Sequence, residues 1–196
     1  HPLDDYKFEI DNFCNAELSV LRNLDTLVGK EISFAGVVSM SEHKTAKNGK
    51  PYGVLYLEDY HDNNRFFIFS DDYIKFKSFF TDGWLLFIKG KVQKRPFNEE
   101  QLEFRIYDIQ LLPELLNKEA RNVVLEVDLN DINDEFVNRI ATTTSKNGGK
   151  HSLIIQVNNH EKKYAVELLS RDRRIDIDKE FIQEIEKITE VGLKIK

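Results

Sequence analysis

The sequence has few cysteines and no long apolar run, and each of these absences excludes a class of protein or site. It contains one cysteine, one methionine and one tryptophan in 196 residues. The single thiol, Cys14, excludes an internal disulfide and any cysteine-based zinc site, so a reducing cytoplasmic location is predicted. No apolar run approaches the roughly 18 residues that a membrane-spanning helix needs, so we expect no membrane partner.

The beginning of the chain and its charge give two further expectations. The chain starts with His1-Pro2-Leu3 instead of methionine and shows no signal-peptide pattern, so we expect a fragment of a longer protein. The formal net charge is -6, which by itself does not favour nucleic acid as a partner. Residues 1–27 hold two basic and six acidic side chains, so most of the negative charge lies outside the remainder of the chain.

Catalytic and metal-binding motifs are missing as well. The histidines are scattered without the spacing of a metal site, and no GK[ST] follows Gly148-Gly149. Glu58 and Asp59 are adjacent on a predicted strand, so their side chains point to opposite faces and cannot act as a pair. We therefore expect a non-catalytic chain with no cofactor, no metal and no small-molecule substrate.

Residues 29–112 predict a small barrel. Five apolar or alternating runs of strand-forming residues occur at 29–39, 52–59, 65–69, 84–92 and 102–112. Between the third and fourth runs, Tyr73, Phe76 and Phe80 recur at helical spacing, and Ser70 is the predicted N-cap. Gly36 interrupts the first run and predicts a bulge or tight bend. Three strands, a helix and two strands is the order of the OB-fold, which binds oligonucleotides on strands two and three.

Three groups of side chains in this barrel are candidates for contact with nucleic acid. Lysines three apart surround an Asn48-Gly49 turn between the first two strands, where cations can lie along phosphates. Outward aromatic side chains on strands two and three can stack on bases. A third group of cations ends strand four. The predicted contact residues are Lys44, Lys47, Asn48, Lys50, Tyr52, Tyr56, Arg65, Phe67, Lys89, Lys91, Lys94, Arg95 and Phe97.

Each group also has a purely structural interpretation. Lysines at the tip of a hairpin are simply solvated, and lysines on an edge strand protect it against aggregation. The aromatic side chains pack beneath the helix or the N-terminal segment in this interpretation, which is strongest for Phe69 because it adjoins the predicted helix. Phe69 is therefore not among the predicted contacts.

The remaining residues predict a second, α+β unit. A strand at 123–129 precedes a helix capped by Asp131 or Asn133, and a hairpin at 152–169 precedes a helix that Asp178 caps and Gly192 ends. With a last strand at 193–195, the order is β-α-β-β-α-β, which indicates a small split sandwich. The predicted organisation is a leader at 1–27 packed on the barrel, an OB-fold domain at 28–115 and a partner-binding domain at 116–196.

Three arginines follow the predicted hairpin of the second unit. Arg171, Arg173 and Arg174 lie within four residues, and guanidinium groups in such a cluster can bind phosphate or an acidic partner. A solvated loop explains the same pattern equally well.

Three segments resemble the C-terminal region of the bacterial DNA polymerase III alpha subunit. Lys47-Asn-Gly-Lys-Pro-Tyr-Gly-Val-Leu-Tyr-Leu-Glu-Asp-Tyr60 is similar to the basic loop and L-E-D strand of its OB domain. Phe69-Ser-Asp-Asp-Tyr-Ile-Lys-Phe76 resembles the strand-to-helix turn of that domain, and His1-Pro-Leu-Asp-Asp-Tyr6 resembles a G-H-P-L segment before it. The order and spacing of the segments match the family, and residues 116–196 resemble its last domain in size and strand order.

The resemblance implies an accessory role in DNA replication. The parent chain would be a DNA-directed DNA polymerase whose catalytic aspartates and magnesium belong to a palm domain that is not in this sequence. The OB domain would bind the single-stranded template, and the last domain would bind the tau subunit of the clamp loader. Two alternatives stay open: an anticodon-binding OB domain of a class II aminoacyl-tRNA synthetase, and a module that binds only proteins.

Overall fold

The chain is divided into two compact units. The computed structural model describes residues 1–95, 98–145 and 149–196. The first unit is His1–Leu115 and the second is Leu116–Lys196. In the described ranges, no helix has the length and apolar character needed to cross a membrane.

A five-stranded antiparallel sheet forms the first unit. Its helices are α1 (Lys7–Phe13) and α2 (Ser70–Phe76), and its strands are β1 (Glu31–Thr45), β2 (Pro51–Glu58), β3 (Asn63–Phe69), β4 (Leu85–Arg95) and β5 (Asn98–Leu111). The strands lie in the order β3-β2-β1-β4-β5. Because α2 follows β3 in the chain, the predicted order of three strands, a helix and two strands is confirmed.

The long strand β1 belongs to both halves of the sheet. Its first part pairs with β4 and its second part pairs with β2, and the register shifts between Val38 and Met40. Of the bulge or tight bend predicted at Gly36, the bulge is wrong, because Gly36 pairs regularly with Leu86. A Cβ atom at Gly36 would lie 3.1 Å from the backbone oxygen of Glu58. Close approach of β2 therefore explains the glycine.

Alternate residues of the strands fill the barrel interior. Phe66 and Ile68 of β3 are buried while their neighbours face outward, as the sequence predicted. The ring of Phe34 on β1 lies 5.9 Å from that of Phe66 and 5.6 Å from that of Phe104 on β5. These three rings join strands from opposite edges of the sheet, so aromatic packing closes the barrel.

The N-terminal segment packs on both faces of the sheet. Leu18 and Leu21, which lie on a 3-10 turn at Leu18–Arg22, are buried in the barrel core. Leu3 is buried on the other face of the sheet, in a cluster with Phe87. Cys14 packs against that cluster, and burial raises the pKa of its thiol to about 12. Part of the core therefore comes from residues before the first strand.

Helix α2 starts differently from the prediction. Tyr73, Phe76 and Phe80 are buried as expected. Ser70, however, does not cap the helix: it is the first helical residue, has a φ of +49°, and makes no side-chain capping hydrogen bond. Strand β3 ends at the residue before the helix, so no residue remains between them to act as a side-chain cap.

The second unit is a four-stranded mixed sheet with two helices of at least eight residues. Helix α3 (Leu115–Glu119) contains the boundary, and the following elements are β6 (Asn122–Asp128), α4 (Asp134–Thr143), β7 (His151–Asn159), β8 (Tyr164–Ile175), α5 (Lys179–Glu186) and β9 (Val191–Ile195). The predicted β-α-β-β-α-β order is confirmed. Asn133 and Asp178 cap α4 and α5. Gly192 lies within β9 and does not end α5.

The strand arrangement of the second unit is not split. The order is β8-β7-β6-β9, and β6 and β7 are direct parallel neighbours. Strand β9 pairs antiparallel with β6 on its other side. The chain pattern gives the sequence of elements, whereas the neighbours of each strand depend on how the connections cross the sheet.

Gly53 on β2 provides a test of the barrel packing. A Cβ atom at Gly53 would lie 2.2 Å from Cε1 of Phe80, so we expect Gly53→Ala to lower the free energy of unfolding by about 1–3 kcal/mol through overpacking. Gly192→Ala is the control, because its nearest neighbour would lie at 3.4 Å, an ordinary contact. Urea unfolding measures both variants, and equal stability of Gly53→Ala and the unchanged protein would contradict this packing.

Candidate nucleic-acid interface

Exposed aromatic rings form a row on the outer face of β2 and β3. Tyr52 lies opposite Phe69 in the sheet, and Val54 lies opposite Phe67. The rings of Tyr52 and Phe69 stack at 5.3 Å between centroids, and those of Phe69 and Phe67 stack at 6.3 Å. The guanidinium carbon of Arg65 lies 5.4 Å from the centroid of the Phe67 ring. We call Tyr52, Phe69, Phe67 and Arg65 the aromatic row.

The aromatic row is open to solvent. Phe67 is 49% exposed and Phe69 is 55% exposed, although both are large apolar side chains. Strand β3 is the last strand in the hydrogen-bonded order of the sheet. A group of exposed rings of this kind marks an interaction surface, and parallel rings suit flat ligands.

Phe69 is the member of the aromatic row that the sequence interpretation left out. We expected the helix after β3 to cover it. Helix α2 instead packs on the inner face of β2, where the rings of Phe80 and Tyr73 lie against Gly53. The alternation of β3 was the available signal, because it places Phe69 on the same outer face as Phe67.

The lysine arm is a hairpin turn between β1 and β2. The Gly49 N–H donates to Ala46 O at 2.9 Å, and Gly49 has a φ of +77°. The Lys50 N–H donates to Oδ1 of Asn48 at 3.1 Å, so this predicted contact residue already serves the turn. Lys47 and Lys50 are exposed, and among the described residues neither forms an ion pair.

Lys44 lies opposite Tyr52 in the sheet, beside the aromatic row, but it is paired with a carboxylate. Its Nζ lies 2.9 Å from Oε2 of Glu42, and the Tyr56 hydroxyl donates to the same oxygen at 3.4 Å. The hydrogen bond from Lys44 lowers the pKa of the Glu42 carboxyl, and the same contact raises the pKa of Lys44. Glu42 therefore holds two predicted contact residues and adds negative charge beside the row.

The cations of β4 lie at a different part of the sheet. Lys91 is opposite Glu31 at the start of β1 and lies 3.9 Å from its carboxylate. Lys44, beside the aromatic row, is 13 positions further along β1, or roughly 40 Å of strand at about 3.3 Å per residue. Lys91 and Lys44 therefore adjoin opposite ends of β1.

The individual β4 cations also have neighbours of their own. Nζ of Lys89 lies 5.3 Å from the Phe87 ring centroid, and Lys94 is exposed. Arg95 donates to Oε1 of Gln101 at 3.0 Å and lies 4.0 Å from Glu103. Phe97, the last predicted contact, lies outside the described residues.

The three arginines of the second unit do not form one cluster. Arg171 and Arg174 are exposed on β8. Arg173 is partly buried, and its Nη1 donates to Ala141 O at 3.0 Å and to Oγ1 of Thr144 at 3.3 Å. Arg173 thus holds the end of α4 in place, which leaves two of the three side chains available to a partner.

A metal-binding arrangement is not found among the residues that the structure describes. No group of three or more His, Cys, Asp or Glu side chains there is placed to hold an ion.

Two family models match the chain, one in each unit. Residues 32–112 match the OB-fold nucleic acid binding domain. Residues 123–196 match the C-terminal domain of the DNA polymerase III alpha subunit. The resemblance seen in the sequence is thereby confirmed: residues 32–112 are similar to the OB-fold nucleic acid binding domain, and residues 123–196 are similar to this polymerase domain.

Comparison with solved structures gives several matches, among them a mitochondrial protein. The mitochondrial single-stranded DNA binding protein Rim1 of S. cerevisiae is 19% identical, and the match covers 42% of this chain and 93% of that one with a TM-score of 0.29. A comparison with curated protein sequences found no significant match.

The contacts of Arg173 predict a structural role for this side chain. We expect Arg173→Ala to lower the free energy of unfolding by about 1–3 kcal/mol, because Ala141 O and Thr144 Oγ1 lose a charged donor. Arg171→Ala is the matched control and should change stability by less than about 0.5 kcal/mol, since its side chain is exposed. Urea unfolding measures the stability of the two variants. Equal losses of stability would contradict the structural role of Arg173.

Proposed function

We propose that this chain, the C-terminal region of a DNA polymerase III alpha subunit, binds single-stranded template DNA through its OB-fold domain. The observation that carries the proposal is the aromatic row of Tyr52, Phe69, Phe67 and Arg65 on the outer face of β2 and β3. OB-folds bind oligonucleotides on this part of the barrel.

The geometry of the row favours single strands over duplexes. Bases in a duplex already stack on one another, whereas the bases of a single strand are free to stack on protein rings. Every base has a flat π face, so stacking on Phe67, Phe69 and Tyr52 does not depend on which base is present. We therefore propose binding without sequence preference.

The charge of the first unit favours weak binding in isolation. Residues 28–115 contain 12 basic and 13 acidic side chains, so no broad positive field attracts phosphates. Lys47 and Lys50 are the arm cations without an ion pair in the described residues, and Glu42 neutralises Lys44. A domain of this kind suits a tethered role, in which another part of the protein already holds the DNA nearby.

The second unit would then connect the polymerase to the replication machinery. We propose that residues 116–196 bind the tau subunit of the clamp loader, in the cytoplasm, while polymerisation and its magnesium ions belong to a catalytic domain elsewhere in the parent chain. The match of residues 123–196 to the polymerase C-terminal domain supports this division. Exposed Arg171 and Arg174 are the candidate contacts with an acidic partner surface.

The aromatic row is tested by removing its rings. We expect Phe67→Ala and Phe69→Ala each to weaken binding of an oligothymidylate of about 15 nucleotides by roughly 5- to 150-fold, which corresponds to about 1–3 kcal/mol per stacked base. Fluorescence anisotropy with labelled DNA measures the change. Tyr60→Ala is the control, because Tyr60 is also an exposed aromatic but its ring lies tilted against that of His1, outside the row. Unchanged affinity, or tighter binding of tRNA than of DNA, would contradict the proposal.

The charges beside the row predict the salt dependence of binding. We expect the double variant Lys47→Ala, Lys50→Ala to reduce the slope of log affinity against log salt by about 0.7 for each lost phosphate contact. Glu42→Gln should increase this slope and strengthen binding, because it frees Lys44 to contact phosphate and removes a negative charge next to the DNA. Titrations at several salt concentrations measure the slopes. Weaker DNA binding by Glu42→Gln would contradict the conclusion that the Glu42 carboxylate opposes binding.

The division into two units predicts that the two activities separate. We expect residues 1–115 and 116–196, produced as two proteins, each to melt cooperatively, because each unit has its own buried core. The first protein should retain DNA binding and the second should retain tau binding, as measured by anisotropy and calorimetry. DNA affinity in residues 116–196 alone would contradict the division.

A further inference from the structure

Strand β8 of the second unit is an exposed apolar edge. It is the first strand in the order β8-β7-β6-β9, so β7 covers only one of its two sides. Val166 is 46% exposed, Leu168 is 53% exposed and Leu169 is 62% exposed. Every residue from Glu161 to Leu169 is exposed. Apolar side chains and an uncovered backbone edge thus occur together on the same segment.

The apolar side chains lie on both faces of the sheet. Val166 is opposite Val157 and Leu168 is opposite Ile155, and both β7 residues are only partly buried. Leu169, on the other face, is opposite Ile154. An extended segment added beside β8 would therefore meet apolar side chains above and below its own plane.

The middle of β8 lacks the features that usually protect an edge strand. Residues 164–169 contain no proline and no bulge, and their one charged residue, Glu167, pairs with Lys196. The register of β7 and β8 shifts only after Leu169, between that residue and Arg174. Every second residue of such an edge directs its N–H and C=O outward, which is the template for adding a strand.

The charges at the two ends of this segment have the same sign. Lys162 and Lys163 precede it against one carboxylate, Glu161, and Arg171 and Arg174 follow it against Asp172. Arg173 is not counted with these cations, because its side chain bonds to the end of α4. Each end therefore carries an excess of positive charge.

This charge pattern disfavours a second copy of the chain at the β8 edge and favours a partner with acidic residues. If two copies of the chain paired antiparallel through β8, the lysines of one copy would lie beside the arginines of the other. Parallel pairing would place the lysines of one copy beside the lysines of the other, and the arginines beside the arginines. Like charges at matched positions oppose both arrangements, whereas acidic residues at the ends of an added strand would be attracted to both clusters.

We propose that β8 is a docking edge for an extended segment of a partner protein, with alternating apolar residues in its middle and acidic residues at both ends. The segment adds a fifth strand to the sheet. Backbone hydrogen bonds to β8 hold it, Val166, Leu168 and Leu169 contact its side chains, and the end cations fix its position. This inference deepens the proposed docking role of the second unit and rests on it.

A designed peptide tests the proposal on the full chain. The probe is fluorescein-labelled Asp-Glu-Val-Thr-Ile-Thr-Val-Glu-Asp, and the matched control is Lys-Lys-Val-Thr-Ile-Thr-Val-Lys-Lys. We expect the acidic-ended peptide to bind at least tenfold more tightly than the control. Hydrogen exchange should show new protection of the outward-directed amides within residues 164–169, which do not bond to β7. Equal affinity of the two peptides, or protection elsewhere in the chain, would overturn the proposal.

Two variants separate the apolar and the charged contributions. Leu168→Lys keeps an exposed position exposed, so the chain should stay folded while peptide affinity falls at least tenfold. Reversing the four end cations (Lys162→Glu, Lys163→Glu, Arg171→Glu and Arg174→Glu) should transfer the preference to the lysine-ended peptide. Circular dichroism checks the fold of both variants. Unchanged affinity of folded Leu168→Lys, or an unchanged preference after charge reversal, would overturn the proposal.

Two further measurements distinguish this proposal from competing outcomes. If sedimentation shows a dimer that Leu168→Lys dissociates, a second copy occupies the edge and the proposal is wrong. Purified tau provides the other comparison. If tau binds the unchanged chain and Leu168→Lys equally, the docking role stands and the edge proposal fails. If tau does not bind the unchanged chain but the acidic-ended peptide does, the edge proposal stands and the tau assignment fails.

Discussion

Burial of the inner residues of β2 and β3 is the constraint on which the nucleic-acid interface depends. Leu55 and Leu57 on β2, like Phe66 on β3, must face the barrel core, and a strand alternates its side chains strictly between two faces. Phe67 and Phe69 are therefore forced outward at the same time. A slip of one residue in the register would bury the row and expose the core, so the same packing that stabilises the barrel also fixes the position of the rings.

Stacking and charge have different weights in this interface. The aromatic row is continuous, while the nearby charges partly cancel because Glu42 holds Lys44 and Tyr56. The balance favours a surface that recognises unpaired bases more than one that attracts any phosphate backbone. In the proposed role, such a surface would discriminate between single strands and duplexes, and its weak overall field would limit non-specific attachment to duplex DNA.

Each unit has exposed side chains on the last strand in the order of its sheet, and the chemistry of these side chains distinguishes the proposed ligands. Strand β3 displays flat rings whose faces match those of bases. Strand β8 displays branched aliphatic side chains and backbone groups, which match another β-strand. Similar strand exposure therefore supports different partners, and the proposed division of labour between DNA and protein follows from which side chains stand at each edge.

The sequence by itself determined the order of elements, the inward and outward faces of the barrel strands and the cap Asp178, because all of these depend on neighbours along the chain. It left the cap of α4 open between Asp131 and Asn133, and the structure shows Asn133. Only the tertiary structure decided that Phe69 is uncovered, that Lys44 is paired with Glu42 and that β6 lies directly beside β7. These features depend on which distant segments approach one another. Local periodicity constrains the direction of a side chain, but the residue that meets it is set by the packing of the whole unit.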